Sequence, residues 1–353
     1  MLDFTDKNIV ITGGTGSLGK CFVKRVLSGH TGTPKKLVVF SRDEAKQHSM
    51  RMEYLQKEVA TDDIIYNNFK RLVQFRIGDV RSYESVCSVL KGADIVVHAA
   101  ALKQVPSCEY FPQEAFLTNV GGASNIIRAI QELDIPVKKV VGISTDKACK
   151  PVNSYGMTKA VQERLFTAAN TLTSKTSFFS VRYGNVLASR GSVIPLFHEQ
   201  IKNGKDLSVT TEKMTRFFFS LDEAVDVIFA ALEWAKPGDV YVPHIPSFTM
   251  VNIAKALIGD RSLSIKFTGI RPGEKEHEEL ISDVEAPLTY EWELKPTQPD
   301  GSWKSKKYYA IMPMLPELQY NAGKASLECA YSSKDQVLNL EETIQMLKGN
   351  NLL

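Results

Sequence analysis

Residues 144–159 read Ser-Thr-Asp-Lys-Ala-Cys-Lys-Pro-Val-Asn-Ser-Tyr-Gly-Met-Thr-Lys, and this one segment gathers the groups that proton transfer needs. Asp146 offers an acid, Lys147 a base and Thr145 a hydroxyl. Tyr155 and Lys159 stand four apart, so on a helix they share a face and their side chains can meet. An ammonium beside a phenol stabilises the phenolate and lowers a pKa that otherwise lies near about 10. Such a tyrosinate takes a proton from an alcohol while hydride leaves the same carbon. The Tyr-x-x-x-Lys spacing also arises by chance on solvated helices, so it needs a dinucleotide site elsewhere in the chain.

The N-terminal stretch supplies that site. Lys7–Thr12 is a short β-branched apolar run that meets Gly13-Gly14-Thr15-Gly16-Ser17-Leu18-Gly19, and a helical pattern follows through Phe22, Val23, Val26 and Leu27. Strand, glycine turn and helix form the context of a dinucleotide fingerprint, with the pyrophosphate on the amides at the positive end of the helix. The second strand, Lys36–Phe40, runs into Ser41-Arg42-Asp43. An arginine there suits a ribose 2′-phosphate, whereas a carboxylate suits a free 2′-hydroxyl. Ser41 and Arg42, with Lys46 as helper, therefore favour NADP over NAD.

Asp79 and Val80, after a further apolar beat, are expected beside the adenine. Ile95–Leu102 reads as a buried parallel strand running through Ala99 and Ala100 into a small-residue loop near the nicotinamide. Lys138–Thr145 is the next strand and delivers Thr145, Asp146 and Lys147 to its carboxyl end, the end where open α/β sheets bind ligands. His98 is expected against the cofactor loop or the core.

Together these strings resemble the extended short-chain dehydrogenase/reductases. More specific segments appear in order: Ser41-Arg42-Asp43-Glu44, His98 to Lys103 and on through Val105-Pro106, Ser144–Lys147, Arg182–Asn185, Ser189–Pro195, Met214–Phe217 and Arg271-Pro-Gly-Glu-Lys275. They are similar to the soluble inverting UDP-N-acetylglucosamine 4,6-dehydratases, which open pseudaminic acid and related sugar pathways. The resemblance runs from the amino terminus to roughly Asp283 and resumes around Tyr331.

The resemblance implies a reaction in which Tyr155 deprotonates the C4 hydroxyl as NADP takes the hydride, with Thr145 bonding the C4 oxygen. Lys147 then removes the C5 proton and Asp146 protonates the departing C6 hydroxyl, before hydride returns to C6. Retaining sugar dehydratases carry Asp-Glu where this chain carries Asp146-Lys147, so the lysine implies inversion at C5. As a base, Lys147 needs its pKa depressed by burial and by Lys159 or other cations. Asp146 conversely needs to be protonated. The resemblance also implies substrate contacts from Lys103, Asn185, Arg216, Arg271 and Glu274, the guanidinium groups on the diphosphate or ribose.

The remaining features bound the class. A chain of 353 residues is ample for a Rossmann-like doubly wound α/β domain over 1–182 and a smaller, partly interleaved nucleotide-sugar lobe over 183–353. A net charge of +3 proposes neither nucleic acid nor a membrane surface as partner. The N-terminus lacks a signal-peptide layout, and five scattered cysteines suit a reducing cytoplasm. The six histidines show no metal spacing, so no metal is expected. Ser220 with Glu223 predicts a capped helix. Residues 44–71 should hold a helix, with room for an oligomer contact, and a homo-oligomer is expected. Leu288–Met314, with Trp292, Trp303, Tyr308 and Tyr309, departs most from the family and could alter the sugar pocket or an interface.

Two rivals share these features. A 4-epimerase uses the same fold and Tyr-Lys pair but has no need of Asp146-Lys147. A non-catalytic NADP-binding regulator would usually lose the tyrosine or the lysine, and this chain keeps both.

Overall fold

The computed structural model describes residues 2–55, 63–187, 193–294 and 306–353. The chain opens with β1 (Asn8–Thr12), α1 (Ser17–Leu27) and β2 (Lys36–Ser41). The long connection after β2 holds two helices, α2 (Glu44–Leu55) and α3 (Asp63–Leu72), ahead of β3 (Val73–Ile77). Next come α4 (Tyr83–Leu90), β4 (Ile95–His98), α5 (Val105–Tyr110) and α6 (Pro112–Phe116). A π turn over Leu117–Gly121 leads into α7 (Gly122–Glu132), β5 (Lys139–Ile143), α8 (Ser154–Ala169) and β6 (Ser177–Val181). Asn153 begins α8 by accepting the Gly156 amide on its side chain, the usual role of an asparagine N-cap.

The strands alternate their side chains between two cores, as a pleat of period two requires. Ile9, Ile11, Leu37 and Val39 pack against α1 and α3, while Val10, Val38, Phe40 and Val96 pack against α4, α7 and α8. Both faces are covered over the central strands, which are largely apolar, while the edge strand β3 carries the polar Gln74 and Arg76.

Beyond β6 the chain builds β7 (Asn185–Val186), α9 (Val193–Lys202), β8 (Leu207–Val209), β9 (Thr215–Phe219) and α10 (Leu221–Trp234). Ser220 and Glu223 form the expected capping box on α10. Then follow β10 (Val240–Pro243), β11 (Ser247–Thr249), α11 (Met250–Ile258), β12 (Ile265–Phe267) and β13 (Glu279–Ile281). The last elements are β14 (Thr289–Leu294), β15 (Lys306–Ile311), β16 (Tyr331–Ser332), β17 (Val337–Leu338) and α12 (Leu340–Gly349).

The main sheet has the order β14-β15-β10-β6-β5-β4-β1-β2-β3. Its strands run parallel from β3 to β10, and β15 and β14 close it as an antiparallel hairpin. Residues after 182 therefore serve both units: β10, β14 and β15 extend the large sheet. The sheets β17-β11-β9-β7, β12-β8 and β13-β16 lie outside it, and α9, α11 and α12 share a separate core with residues of β7–β9, β11, β12 and β17 or their flanks. The described part of Leu288–Met314, including Trp292, Tyr308 and Tyr309, is this sheet edge; Trp303 lies outside the described residues. None of the described residues of that segment lines the cleft below.

Chain order reverses between β1 and β4, and this is where a doubly wound sheet leaves a ligand crevice at its carboxyl ends. Among the described residues no helix is long and apolar enough to cross a membrane. All five cysteines are free thiols.

Candidate active site

A cleft of about 1360 Å³ opens at that reversal. One wall is the glycine turn, with Gly13, Thr15, Gly16, Ser17, Leu18 and Gly19 all lining it. Gly13 has φ +67°, and a Cβ there would lie 2.8 Å from the Ala100 backbone, so only glycine lets the β1 and β4 loops close together. No side chain caps α1 at Gly16, which leaves first-turn amides available to an anion. Ala99 and Ala100 form the floor. A smaller adjoining recess of about 190 Å³ is lined by Ser41, Arg42, Lys46, Asp79 and Val80. The two hollows suit the pyrophosphate and the adenosine half of a dinucleotide.

Within the recess, Arg42 is 56 % exposed and lies 3.9 Å from Asp79, which itself pairs with Arg81 at 2.6 Å. Lys46 pairs with Asp43 at 2.7 Å. Arg42 thus keeps its guanidinium largely open to an incoming group.

The far wall carries the chemistry. Thr145, Asp146, Lys147, Tyr155 and Lys159 all line the cleft, brought there by the end of β5 and the first turns of α8. A Cβ at Gly156 would meet the Lys147 carbonyl at 2.1 Å, so this glycine lets α8 press directly on the catalytic loop. Asp146 is 1 % exposed. Its Oδ1 accepts from the Thr145 hydroxyl at 2.9 Å and from Lys147 Nζ at 3.0 Å. Its Oδ2 is buried without a protein partner among the described residues.

Lys147 departs from the sequence expectation. Burial pushes its pKa down, but the carboxylates of Asp146 and Glu278 outweigh burial and hold the ammonium above the ordinary lysine range. Arg216 opposes them weakly. Lys147 is thus a charged lysine at rest, and must hand off a proton before it can act as a base.

Burial raises the Tyr155 phenol to about 12, and the Lys147 charge and the Thr145 hydroxyl pull against it. The cation acting on the phenol is therefore Lys147, where the sequence pattern assigned that part to Lys159. Lys159, 2 % exposed, instead donates to Gln162 Oε1 at 2.7 Å, one turn further along α8. Burial draws its pKa down to about 7, opposed by Glu163. A helix face shared by i and i+4 allowed the contact but did not compel it, because the longer reach to a buried amide competes.

Of the expected substrate residues, Lys103, Asn185, Arg271 and Glu274 line the cleft. Burial lowers the Lys103 pKa. Glu274 Oε2 is buried and without a protein partner among the described residues, which leaves it open to a hydroxyl donor. Arg216 is not among the lining residues. Its guanidinium donates to the carbonyls of Thr215 at 2.7 Å, Lys275 at 2.9 Å and Glu276 at 3.1 Å. Those bonds use three of its five N–H donors, so Arg216 staples the segment that follows Arg271 and Glu274. In the motif Ser189–Pro195, residues 189–192 lie outside the described residues.

His98 is fully buried and shares a 2.9 Å hydrogen bond between Nδ1 and the Thr12 hydroxyl. Burial lowers its pKa to about 3, so it stays neutral. Asn119, in the π turn, had no local sequence signal. Its amide accepts from Leu102 N at 2.8 Å and donates to Leu102 O at 2.9 Å and to Thr158 at 2.9 Å, clamping the loop of Lys103 to α8. No cluster of metal-ligating side chains occurs among the described residues.

A doubly wound sheet, a glycine-turn anion site and a Tyr-x-x-x-Lys helix on one rim define a Rossmann-fold enzyme of the short-chain dehydrogenase/reductase class. The chain belongs to the family described as polysaccharide biosynthesis protein, which matches residues 9–295. It is 42 % identical to a UDP-N-acetylglucosamine 4,6-dehydratase (inverting) of Campylobacter jejuni subsp. jejuni, across 88 % of this chain and 84 % of that one. It is 46 % identical to a UDP-glucose 4-epimerase of Rickettsia bellii, across 80 % of each. Among solved structures, the X-ray structure of Pen from Bacillus thuringiensis matches with TM-score 0.84 and 36 % identity over 100 % of both chains.

Proposed function

We propose that this protein is an inverting nucleotide-sugar 4,6-dehydratase acting on UDP-N-acetylglucosamine and using NADP. The observation that carries this reading is the Asp146–Lys147 pair, seated beside Tyr155 in the dinucleotide cleft. A 4-epimerase needs only the tyrosine; an elimination across C5 and C6 needs one base and one acid as well.

Gly13, Ser17, Leu18 and Ala100 would hold the dinucleotide, which when bound supplies reversible hydride transfer at the sugar ring. Tyr155 first releases its own proton to solvent, a loss the Lys147 charge favours, and as the phenolate it takes the proton of the C4 hydroxyl while Thr145 bonds the C4 oxygen. Gaining that proton erases the phenolate charge facing Lys147, which makes the ammonium easier to discharge. Transfer of one proton across the 3.0 Å contact from Lys147 Nζ to Asp146 then arms both groups together. Lys147 becomes a neutral amine able to take the C5 proton, and Asp146 a carboxylic acid able to protonate the leaving C6 oxygen. Lys103, Asn185, Arg271 and Glu274 are assigned to the nucleotide and sugar. The product is a UDP-2-acetamido-2,6-dideoxy-4-keto-hexose inverted at C5.

Mass spectrometry of UDP-N-acetylglucosamine after incubation with the NADP-loaded enzyme should show loss of one water. Lys147→Ala should abolish deuterium exchange at C5, and retained exchange would remove Lys147 from the base role. The epimerase reading, favoured by the likeness to the Rickettsia protein, requires a product of unchanged mass.

NADP preference rests on the open guanidinium of Arg42. Hydrogen bonds to charged groups are worth about 1.5–3 kcal/mol, so Arg42→Ala should weaken NADP at least about ten-fold while leaving NAD unchanged, as read by isothermal titration. The five free thiols fit a reducing cytoplasm. Phe116, Met157 and Val161 are exposed apolar side chains on the adjoining helices α6 and α8, and support a homo-oligomer.

A further inference from the structure

Lys147 has a second carboxylate partner, one that no sequence motif singled out. Glu278 is 2 % exposed and lies just before β13. Its Oε1 stands 3.4 Å from Lys147 Nζ and 3.9 Å from Arg216 Nε. Its Oε2 is buried without a protein partner among the described residues. The backbone fixes it from both sides: Glu278 N donates to Ser333 Oγ at 3.0 Å, and Ser333 N donates to Glu278 O at 2.8 Å. Ser333 in turn shares a 2.7 Å hydrogen bond with Thr215 on β9. The backbone bonds hold the Glu278 main chain in place, and its buried carboxylate lies between the two cations.

We propose that Glu278 is a positioning residue for the C5 base: it holds the Lys147 ammonium at the cleft wall and governs when that amine gives up its proton. The inference rests on the reading of Lys147 as the base. The groups facing Lys147 are Asp146 from its own loop, Tyr155 from α8, Glu278 from the segment before β13 and Arg216 from β9. Asp146 is consumed as the acid and Tyr155 loses its charge in the first step. Glu278 is then the remaining anion against the positive Arg216. Its charge keeps Lys147 protonated until the sugar has been oxidised at C4, which guards against a neutral amine reacting in the resting enzyme.

An opposing charge within about 4–6 Å shifts a pKa by about 1–3 units. Removing the Glu278 carboxylate while Arg216 stays should let Lys147 shed its proton at lower pH. Competitive acetic anhydride labelling of Lys147 in the folded protein, quantified by peptide mass spectrometry across pH 6–10, reads the neutral amine without needing turnover. Glu278→Gln should raise labelling of Lys147 at pH 8 at least about ten-fold. It should also move the acid limb of the pH profile for C5 deuterium exchange to lower pH, with KM little changed.

Should Glu278→Gln fail to fold by circular dichroism, Glu278→Asp, which retracts the charge by one methylene, should shift both profiles in the same direction by less. Labelling and exchange profiles that match the wild type in a folded variant overturn the proposal. A shift in labelling, with no C5 exchange by the wild type at any pH, upholds the Glu278–Lys147 coupling and overturns the dehydratase reading instead.

Discussion

Asp146→Asn is expected to lower the rate of water loss from UDP-N-acetylglucosamine by about 1,000-fold while leaving deuterium exchange at C5 in place. The substitution keeps volume and an oxygen able to accept from Thr145 and Lys147, which now contact Oδ1. What it removes is the proton destined for the C6 oxygen, and general acid–base catalysis is worth about 100- to 10,000-fold. In Asp146→Asn the Lys147 proton must leave to solvent instead of to Asp146, and loss of the neighbouring carboxylate charge eases that release, so the ketone formed at C4 should still permit exchange at C5. Lys147→Ala stops both exchange and water loss. Two neighbouring residues thus give different phenotypes, read by proton NMR and mass spectrometry on the same reaction mixture. Loss of exchange in Asp146→Asn as well would mean that the pair acts only as a unit.

The second large effect concerns stability. Arg182 is 2 % exposed and bridges two buried carboxylates, Glu163 on α8 and Glu285 after β13. It bonds Glu163 at 2.6 Å and 3.0 Å, and Glu285 at 2.9 Å and 3.0 Å. Glu163 also accepts from Ser144, the residue before the catalytic loop. Removing the one cation of this buried cluster strands both carboxylates, at about 3–5 kcal/mol. Arg182→Ala should lose that much in urea unfolding at pH 7.

The same cluster sets an acid limit. Burial alone would raise the Glu285 carboxyl, but Arg182 overrides it and holds the pKa at about 2, below its ordinary 4.5. A depressed folded-state value means the stabilisation is complete above 4.5 and drains away as pH falls toward 2. Wild-type stability should therefore drop across that window, and Glu285→Gln should flatten the drop.

Much of this was legible in the chain because the signals were local. The glycine turn after β1, the small-residue end of β4 and the Ser220–Glu223 capping box are each written within a few residues. The grouping of Thr145, Asp146, Lys147 and Tyr155 on one rim followed from the carboxyl-end rule for open sheets. What the sequence hid depends on pairing across long separations. The aromatic stretch after Leu288 returns to the main sheet because Tyr308 and Tyr309 pair with β10, and no local pattern specifies that partner.

Arg216 looked like a diphosphate or ribose ligand by type, and three carbonyls of its own surroundings take three of its five donors outside the cleft lining. Lys159 looked like the partner of Tyr155 by spacing, yet Gln162 holds it. Lys147 was expected to be a depressed lysine, and Asp146 together with Glu278, which is distant in sequence, reverses the sign. Side-chain type and spacing identify the candidates; the tertiary neighbours decide which charge state each one keeps.

The most direct test of a cycle of oxidation, elimination and re-reduction is NMR of the product formed from UDP-N-acetylglucosamine in deuterated buffer. A 6-deoxy-4-keto sugar of L-arabino configuration carrying deuterium at C5 is the expected product. A C4-epimerised or unchanged hexose that keeps protium at C5 would contradict that cycle.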